Sequence, residues 1–205
     1  MSASLDKVYA IILAAGASTR LGSPKQLLEW RNQSLLAHTL QNVQVLLGKQ
    51  VYVVLGAHAA EIQSALALDK RNTVINANWE EGIASSIRAG VNALPASASA
   101  VLILLCDQPL INTRHLQQLL KGWQSATDKI VASQYPQSVG VPALFPARYF
   151  EQLLTLSGDR GARSLFKAFE TNLQKIPIPE AEFDIDYKED FDRLLRLTAA
   201  EDYHE

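Results

Sequence analysis

The amino-acid sequence predicts an α/β fold built on a mostly parallel sheet. Three observations carry that reading. Apolar, β-branched runs alternate with longer amphipathic stretches, which is the pattern of repeated βαβ units. Ala100–Leu105 is apolar at every position, as a parallel strand covered on both faces must be. The chain's 205 residues are enough for one α/β domain with a sizeable core.

The elements follow in order. Val8–Leu13 reads as a buried strand, and Leu35–Leu47 as the first amphipathic helix. Strands are expected at Gln50–Leu55, Thr73–Ile75, Ala100–Leu105 and Lys129–Ala132. Helices are expected between them at Ala60–Leu68, Ser85–Leu94 and Leu116–Ser125, with Asn112 as an N-cap for the last. The second half is less regular. Tyr135–Gly140 is polar and reads as a loop. Val141–Phe145 reads as a short strand, which Pro142 confines to an edge or opening position because proline has no N–H to donate. Helices at Arg148–Leu156 and on to Phe169 flank a loop at Ser157–Asp159. Ile176–Pro179 is extended, Glu189–Leu197 is the final helix, and the acidic tail Glu201–Glu205 is expected to fray.

Composition narrows the function. A formal net charge of -2 gives no global field for nucleic acid. A lone cysteine, Cys106, forms no intrachain disulfide and suits a reducing compartment. Met1–Lys7 lacks the apolar core of a signal peptide, and no apolar run has the length needed to cross a bilayer. A cytoplasmic enzyme or binding protein, with no nucleic-acid or membrane partner, is the expectation.

In open α/β sheets ligands sit beyond the carboxyl ends of the strands. That selects Leu13–Lys25, Gly56–His58, Asn76–Trp79 and Cys106–Leu110. The first is the most informative. It puts small residues, Gly16 and Gly22, the hydroxyls of Ser18 and Thr19, Arg20 and Lys25 into one turn. Small residues let a backbone approach a polyphosphate, N–H groups can point at its oxygens, and two cations balance its charge. The spacing is neither Walker A nor Gly-x-Gly-x-x-Gly, which argues against P-loop ATPases and NAD-binding folds.

Leu-Ala-Ala-Gly-x-Ser-x-Arg-x-Gly-x-x-Lys, here Leu13 to Lys25, resembles the signature loop of the MobA-like nucleotidyltransferases. Its Leu-Ala-Ala-Gly opening is similar to the molybdenum cofactor cytidylyltransferase branch. Further segments resemble the family in order. They are Asn78-Trp79 with Gly82 and Ser85–Gly90, Cys106-Asp-Gln-Pro109, Gly140-Val-Pro142, Gly158–Arg163, and Asp184-Ile-Asp186 with Glu189-Asp190. The likeness runs over roughly residues 7 to 195. It departs at Val141, where family members often carry histidine, and at Tyr187-Lys188, where Thr-Pro is common. Both departures fall toward the acceptor side.

The resemblance implies a Rossmann-like three-layer α/β/α nucleotidyltransferase fold in a single domain, residues 1–205, with a nucleotide-binding half at about 7–110 and an acceptor-binding half at about 111–197. It implies nucleotidyl transfer with Mg²⁺. Arg20, Lys25 and Asp107 are the catalytic candidates, and Asp107 and Asp186 the metal ligands, with Asp184 on the same face of an extended segment. Leu13, Ala14, Ala15, Gly16, Ser18, Asn78, Ser85 and Ser86 are expected around the nucleotide, with CTP favoured. Gly140, Pro142, Asp159, Arg160 and Arg163 are expected around a phosphorylated acceptor, with molybdopterin favoured, the arginines matching phosphate oxygens. A target molybdoenzyme is an implied transient partner. Read from the residues alone, other roles stay open: Ser85 or Ser86 as helix caps, Asp107 as a turn residue before Pro109, Arg160 and Arg163 as surface cations. Cys106 reads as a packing residue, since no histidine stands beside it. The alternatives are a guanylyltransferase or a sugar- or alditol-phosphate nucleotidyltransferase on the same fold, a non-catalytic cofactor carrier, and, more remotely, an NAD-dependent reductase.

Overall fold

The computed structural model describes residues 3–201, and side chains as far as residue 198; the expected frayed tail at 202–205 lies outside them. The strands are β1 (Val8–Ala14), β2 (Glu29–Trp30), β3 (Gln33–Ser34), β4 (Val51–Leu55), β5 (Thr73–Ile75), β6 (Ala100–Leu105), β7 (Ile130–Gln134), β8 (Val139–Pro146) and β9 (Leu173–Pro177). The helices are α1 (Leu35–Leu47), α2 (Ala59–Leu66), α3 (Ile83–Asn92), α4 (Thr113–Ser125), α5 (Phe150–Leu154), α6 (Arg163–Ala168) and α7 (Lys188–Glu201).

A seven-stranded sheet runs in the order β5-β4-β1-β6-β8-β7-β9. Among these strands β8 is antiparallel to both its neighbours, and the other pairings are parallel. This is the expected α/β architecture. Alternation along β1 and β6 explains the continuous apolar runs. Ala10, Ile12, Leu102 and Leu104 face the layer of α1, α2 and α4. Ile11, Leu13, Val101 and Ile103 face the layer of α3, α5 and α6. Both faces are covered, so no position on either strand is free to be polar. A third cluster joins the chain ends: Ile185 and Leu194 pack on Trp30 and Leu35, with Leu21 and Leu28 at its margin. It carries the Asp184–Asp186 segment back to the first strand's loop.

Asn112 caps α4 as expected. Its Oδ1 accepts from the N–H groups of Arg114 and His115, at 3.0 and 3.2 Å. The expectation for β8 needs correction. It is eight residues long and interior, not a short edge strand. Pro142 is tolerated because the β7–β8 register shifts beside it, at Ala132/Ser133, while pairing with β6 stops at Ile103↔Ala143. No ladder bond is asked of the missing N–H, and the Pro142 carbonyl accepts from Ser133 Oγ at 2.7 Å. Gly140, expected in a loop, stands on the same strand. The β2–β3 hairpin was not foreseen; it turns on Arg31 and Asn32, both in the left-handed region. Among the described residues no helix is long and apolar enough to cross a membrane.

Candidate active site

β1 ends at the carboxyl edge of the sheet, and the loop after it is clamped from behind. Gln26 is fully buried, and its Nε2 donates to the carbonyls of Ala14 (2.9 Å) and Gly16 (3.0 Å). From the end of β4, Ala57 N donates to the Ala15 carbonyl at 3.0 Å. A planar trans peptide sets its N–H opposite to its C=O. With three successive carbonyls taken, each N–H of Ala15, Gly16 and Ala17 points away from the donor that holds the carbonyl of its own peptide. Ser18 closes the turn. It adopts a left-handed φ of 53°, its carbonyl accepts from Leu21 and Gly22, and its Oγ accepts from Lys25 N at 3.1 Å.

Lys25 stands at the centre of the charge. Its Nζ lies 2.5 Å from Asp107 Oδ2 and 3.0 Å from Asp186 Oδ1, and it donates to the Ile185 carbonyl at 3.0 Å. Asp107 sits just past β6. Asp186 arrives from a segment about 160 positions along the chain, held by Ile185 N donating to the Asp107 carbonyl at 2.9 Å. Asp190 Oδ2 fixes the same segment by accepting from the N–H groups of Asp186 and Tyr187. Arg20 is more exposed. It reaches Asp186 Oδ2 at 3.7 Å and lies over the Tyr187 ring. Burial alone would lower the Lys25 pKa, but the Asp107 carboxylate foremost, then Asp186, drive it above the ordinary lysine value. The ammonium therefore stays charged at any physiological pH.

The fit of this cluster to a divalent metal can be tested on its oxygens. Asp107 Oδ1 is buried with no hydrogen-bond partner, and Asp107 Oδ2 and Asp186 Oδ1 converge on one cationic atom. Among the described residues no group of three or more His, Cys, Asp or Glu forms a metal cluster. Two carboxylates with an unused lone pair suit Mg²⁺ or Mn²⁺ completed by phosphate oxygens and water, and the residues fit.

Two adjoining cavities open here. The first, about 370 Å³, is lined by Leu13–Ala17, Lys25, Gln26, Trp79, Gly82, Ser86 and Asp107. The second, about 470 Å³, has an apolar floor of Ile83, Ile87, Ile103, Leu105 and Val141, and a rim that includes Gly140, Arg163 and Asp184. Leu13, Ile83, Leu105 and Asp159 belong to both walls. Asp184 is exposed by accessible area, yet the cavity walls withdraw enough water, with Asp107 and Asp186 nearby, to raise its carboxyl pKa.

Other expected site residues fall elsewhere. Ser85 is buried inside α3; it accepts from Asn76 Nδ2 at 2.8 Å and donates to the Gly82 carbonyl. Ser86 also accepts from Asn76, at 3.0 Å, but does line the first cavity. Neither serine caps α3, whose N-cap is Gly82. Asn78 is exposed and outside both cavity linings; its N–H donates to Asn76 Oδ1. Pro142 is buried in the β8 irregularity, and Arg160 is exposed and off both linings. Cys106 is buried, and burial, then Asp107, pushes its thiol up to about 12, so it is no nucleophile.

The sequence reading missed Gln26, Gln108 and Tyr135. Gln108 Nε2 donates to the carbonyls of Ala181 (2.6 Å) and Val141 (3.2 Å), joining the last motif to β8. The Tyr135 hydroxyl also donates to the Val141 carbonyl. Gly140 is required beside it: a Cβ there would lie 2.6 Å from Tyr135 Cζ. The available signal was a polar side chain flanking each motif: Gln26 after Lys25, Gln108 after Asp107.

A family model described as "MobA-like NTP transferase domain" matches residues 10–175. The chain is 32% identical over 166 residues to "Nicotine blue oxidoreductase" of Paenarthrobacter nicotinovorans, covering 78% of this chain and 81% of that protein. The fold superposes on Rv0371c from Mycobacterium tuberculosis H37Rv with a TM-score of 0.82 and 29% identity, covering 93% of this chain and 98% of that one. A structure of Rv0371C in complex with manganese gives a TM-score of 0.78 and 27% identity, with the same coverage.

Proposed function

Since the chain belongs to the MobA-like NTP transferase family, we propose that it is a Mg²⁺-dependent nucleotidyltransferase that moves CMP from CTP to the terminal phosphate of molybdopterin. The products are molybdopterin cytosine dinucleotide and pyrophosphate. One observation carries the reaction type: Lys25 lies between Asp107 and Asp186 at the mouth of a cavity walled by the Leu13–Ala17 loop. Two carboxylates, a buried lysine and the loop's amides are the parts a metal–triphosphate needs, and a cofactor carrier has no use for them. The manganese complex of Rv0371C supports a divalent ion of this kind.

An oxygen of the acceptor phosphate attacks the α-phosphorus in line. The new P–O bond forms as the bond to the β-phosphate bridging oxygen breaks, and pyrophosphate leaves with that electron pair. The nucleophile is already an anion, so no covalent enzyme intermediate is required and catalysis is positioning plus charge neutralisation. The N–H groups of Ala15, Gly16 and Ala17 cradle the triphosphate. Lys25 and Arg20 meet the charge that develops on the transferred group and on pyrophosphate. Asp107 and Asp186 would hold the metal, which when bound neutralises phosphate charge. The second cavity receives the acceptor, with its rings over the Ile83–Ile87–Ile103 floor and Arg163 at the rim.

The Leu13-Ala-Ala-Gly16 opening supports cytosine over guanine. A second reading, oxidoreduction, draws on the similarity to the nicotine blue oxidoreductase of Paenarthrobacter nicotinovorans; the lack of a dinucleotide fingerprint after β1 argues against it. The test is pyrophosphate release with each of the four ribonucleoside triphosphates, molybdopterin and Mg²⁺, beside a parallel assay of NAD(P)H oxidation. Release with CTP alone is expected. Release with GTP alone overturns the cytidylyl assignment, and NAD(P)H oxidation without pyrophosphate release overturns the reaction type.

A further inference from the structure

We propose that Lys25 and the divalent metal occupy the same place between Asp107 and Asp186 in turn, so that metal binding releases the Lys25 ammonium to the triphosphate. This rests on the metal–triphosphate reading above and adds an order of events to it.

An ammonium has three donors, and the structure commits Lys25 Nζ to three acceptors: Asp107 Oδ2 at 2.5 Å, Asp186 Oδ1 at 3.0 Å and the Ile185 carbonyl at 3.0 Å. No donor is left over for a phosphate while those contacts stand. A divalent ion held by Asp107 Oδ2 and Asp186 Oδ1, the oxygens that Nζ now contacts, would set a second cation against the ammonium, and the two would repel. On that ligand set the metal and the ammonium exclude each other.

Lysine is suited to it. Its charge rides on a flexible alkyl stem, so the head can move while the backbone stays. The Lys25 backbone is anchored by Ser18 Oγ at 3.1 Å. A shallow cavity of about 240 Å³, lined by Gly16, Ser18, Thr19, Arg20, Lys25 and Asp186, gives the released head a place on the loop's phosphate side. Asp186 and Ile185 lose one cationic tether and Asp186 gains another, so the returning C-terminal segment stays pinned through the exchange. Arg20 is the natural contrast. Its one carboxylate contact among the described residues is Asp186, through the other oxygen, at 3.7 Å; it also lies over the Tyr187 ring and is 61% exposed.

Two predictions follow from mutual exclusion. Lys25 opposes the metal when no nucleotide is present, and it favours the triphosphate only when the metal is. Calorimetry on the full chain reads both. Lys25→Met should bind Mn²⁺ alone about tenfold more tightly than wild type, a coupling of ordinary size, and Arg20→Met should gain far less. With Mn²⁺ present, Lys25→Met should lose about tenfold in CTP affinity; with EDTA it should match wild type. An unchanged or weakened Mn²⁺ affinity in Lys25→Met overturns the proposal. So does an equal gain in Arg20→Met, which would be through-space charge alone, or a CTP loss that is the same with and without metal. Wild-type protein with nitrogen-labelled lysine gives a readout that needs no variant. The Lys25 ammonium signal should lose its exchange protection as Mg²⁺ is added, and a signal unmoved at saturation overturns the exchange. Exchange observed in a protein that releases no pyrophosphate would sink the functional reading and leave this inference standing.

Discussion

The two cavities share a wall of Leu13, Ile83, Leu105 and Asp159, yet they are built on opposite plans. The nucleotide side takes one wall from a single stretch, Leu13 to Gln26, which is clamped by hydrogen bonds from Gln26, with Asp107 and Asp186 paired to Lys25 at its edge. The acceptor side is gathered from α3, β6, β8, α6 and the 181–184 segment, and its floor is apolar. Phosphate charge needs fixed dipoles, which cost no reorganisation during the reaction. An acceptor ring needs a shape, which side-chain size supplies and which can vary without disturbing the charged end. Under the proposed function, the comparison implies that reaction type and acceptor choice reside in separable parts of the molecule.

Breaking the charged end should have the largest effect. Asp107→Asn removes a proposed metal ligand and a carboxylate partner of Lys25, and should lower the turnover rate about a hundredfold or more, whichever acceptor is supplied. Steady-state pyrophosphate release measures it; a loss confined to one acceptor would mean that the two ends are not separable. Gln26→Ala comes next. It leaves the buried carbonyl of Ala14 unpaired and frees the more exposed one of Gly16, at a cost of about 1–3 kcal/mol, read by denaturant unfolding. The KM for CTP should rise while that for the acceptor holds.

Arg163→Ala should do the reverse, raising the acceptor KM about tenfold, as expected for one charge-assisted hydrogen bond, with the CTP KM unchanged. An equal rise in both would break the comparison. The smallest effect belongs to Asp184→Asn. Its carboxyl pKa is raised by partial enclosure, then by Asp107 and Asp186, so the folded state holds the proton more tightly than the unfolded chain. Its contribution to stability is full below the unfolded value and is lost as pH rises through the folded one. The variant should therefore melt slightly higher than wild type near neutral pH, and the difference should vanish below about pH 3, where the carboxyl is protonated in both states. Thermal melts across that range decide it.

The same contrast explains what the sequence could disclose. β1, β6 and the Lys25 loop were legible because their signals are contiguous: a fully apolar strand, then small residues and cations in one turn. Asp107 and Asp186 were legible as types, but what joins them is the packing of Ile185 and Leu194 on Trp30 and Leu35, a contact between chain ends that no local pattern announces. Pro142 misled because its lack of an N–H argues for an edge, whereas a register shift lets an interior strand accept it. The place of Ser85, expected around the nucleotide but buried inside α3, has a related reason. A hydroxyl can serve a ligand or its own backbone, and Asn76 with the Gly82 carbonyl claims it. Gln26, Gln108 and Tyr135 act as braces between segments, and a single polar residue beside a motif does not name its partners.

The central claim, that a nucleotidyl group passes to a phosphorylated acceptor at the Lys25–Asp107–Asp186 centre, is tested most directly by following the label. CTP labelled in parallel at the α- or the γ-phosphate is incubated with the protein, Mg²⁺ and molybdopterin. The α label should appear in the acceptor product and the γ label in pyrophosphate, with both slowed together in Asp107→Asn. A γ label on the acceptor, or an acceptor left without label from either position, would contradict the account.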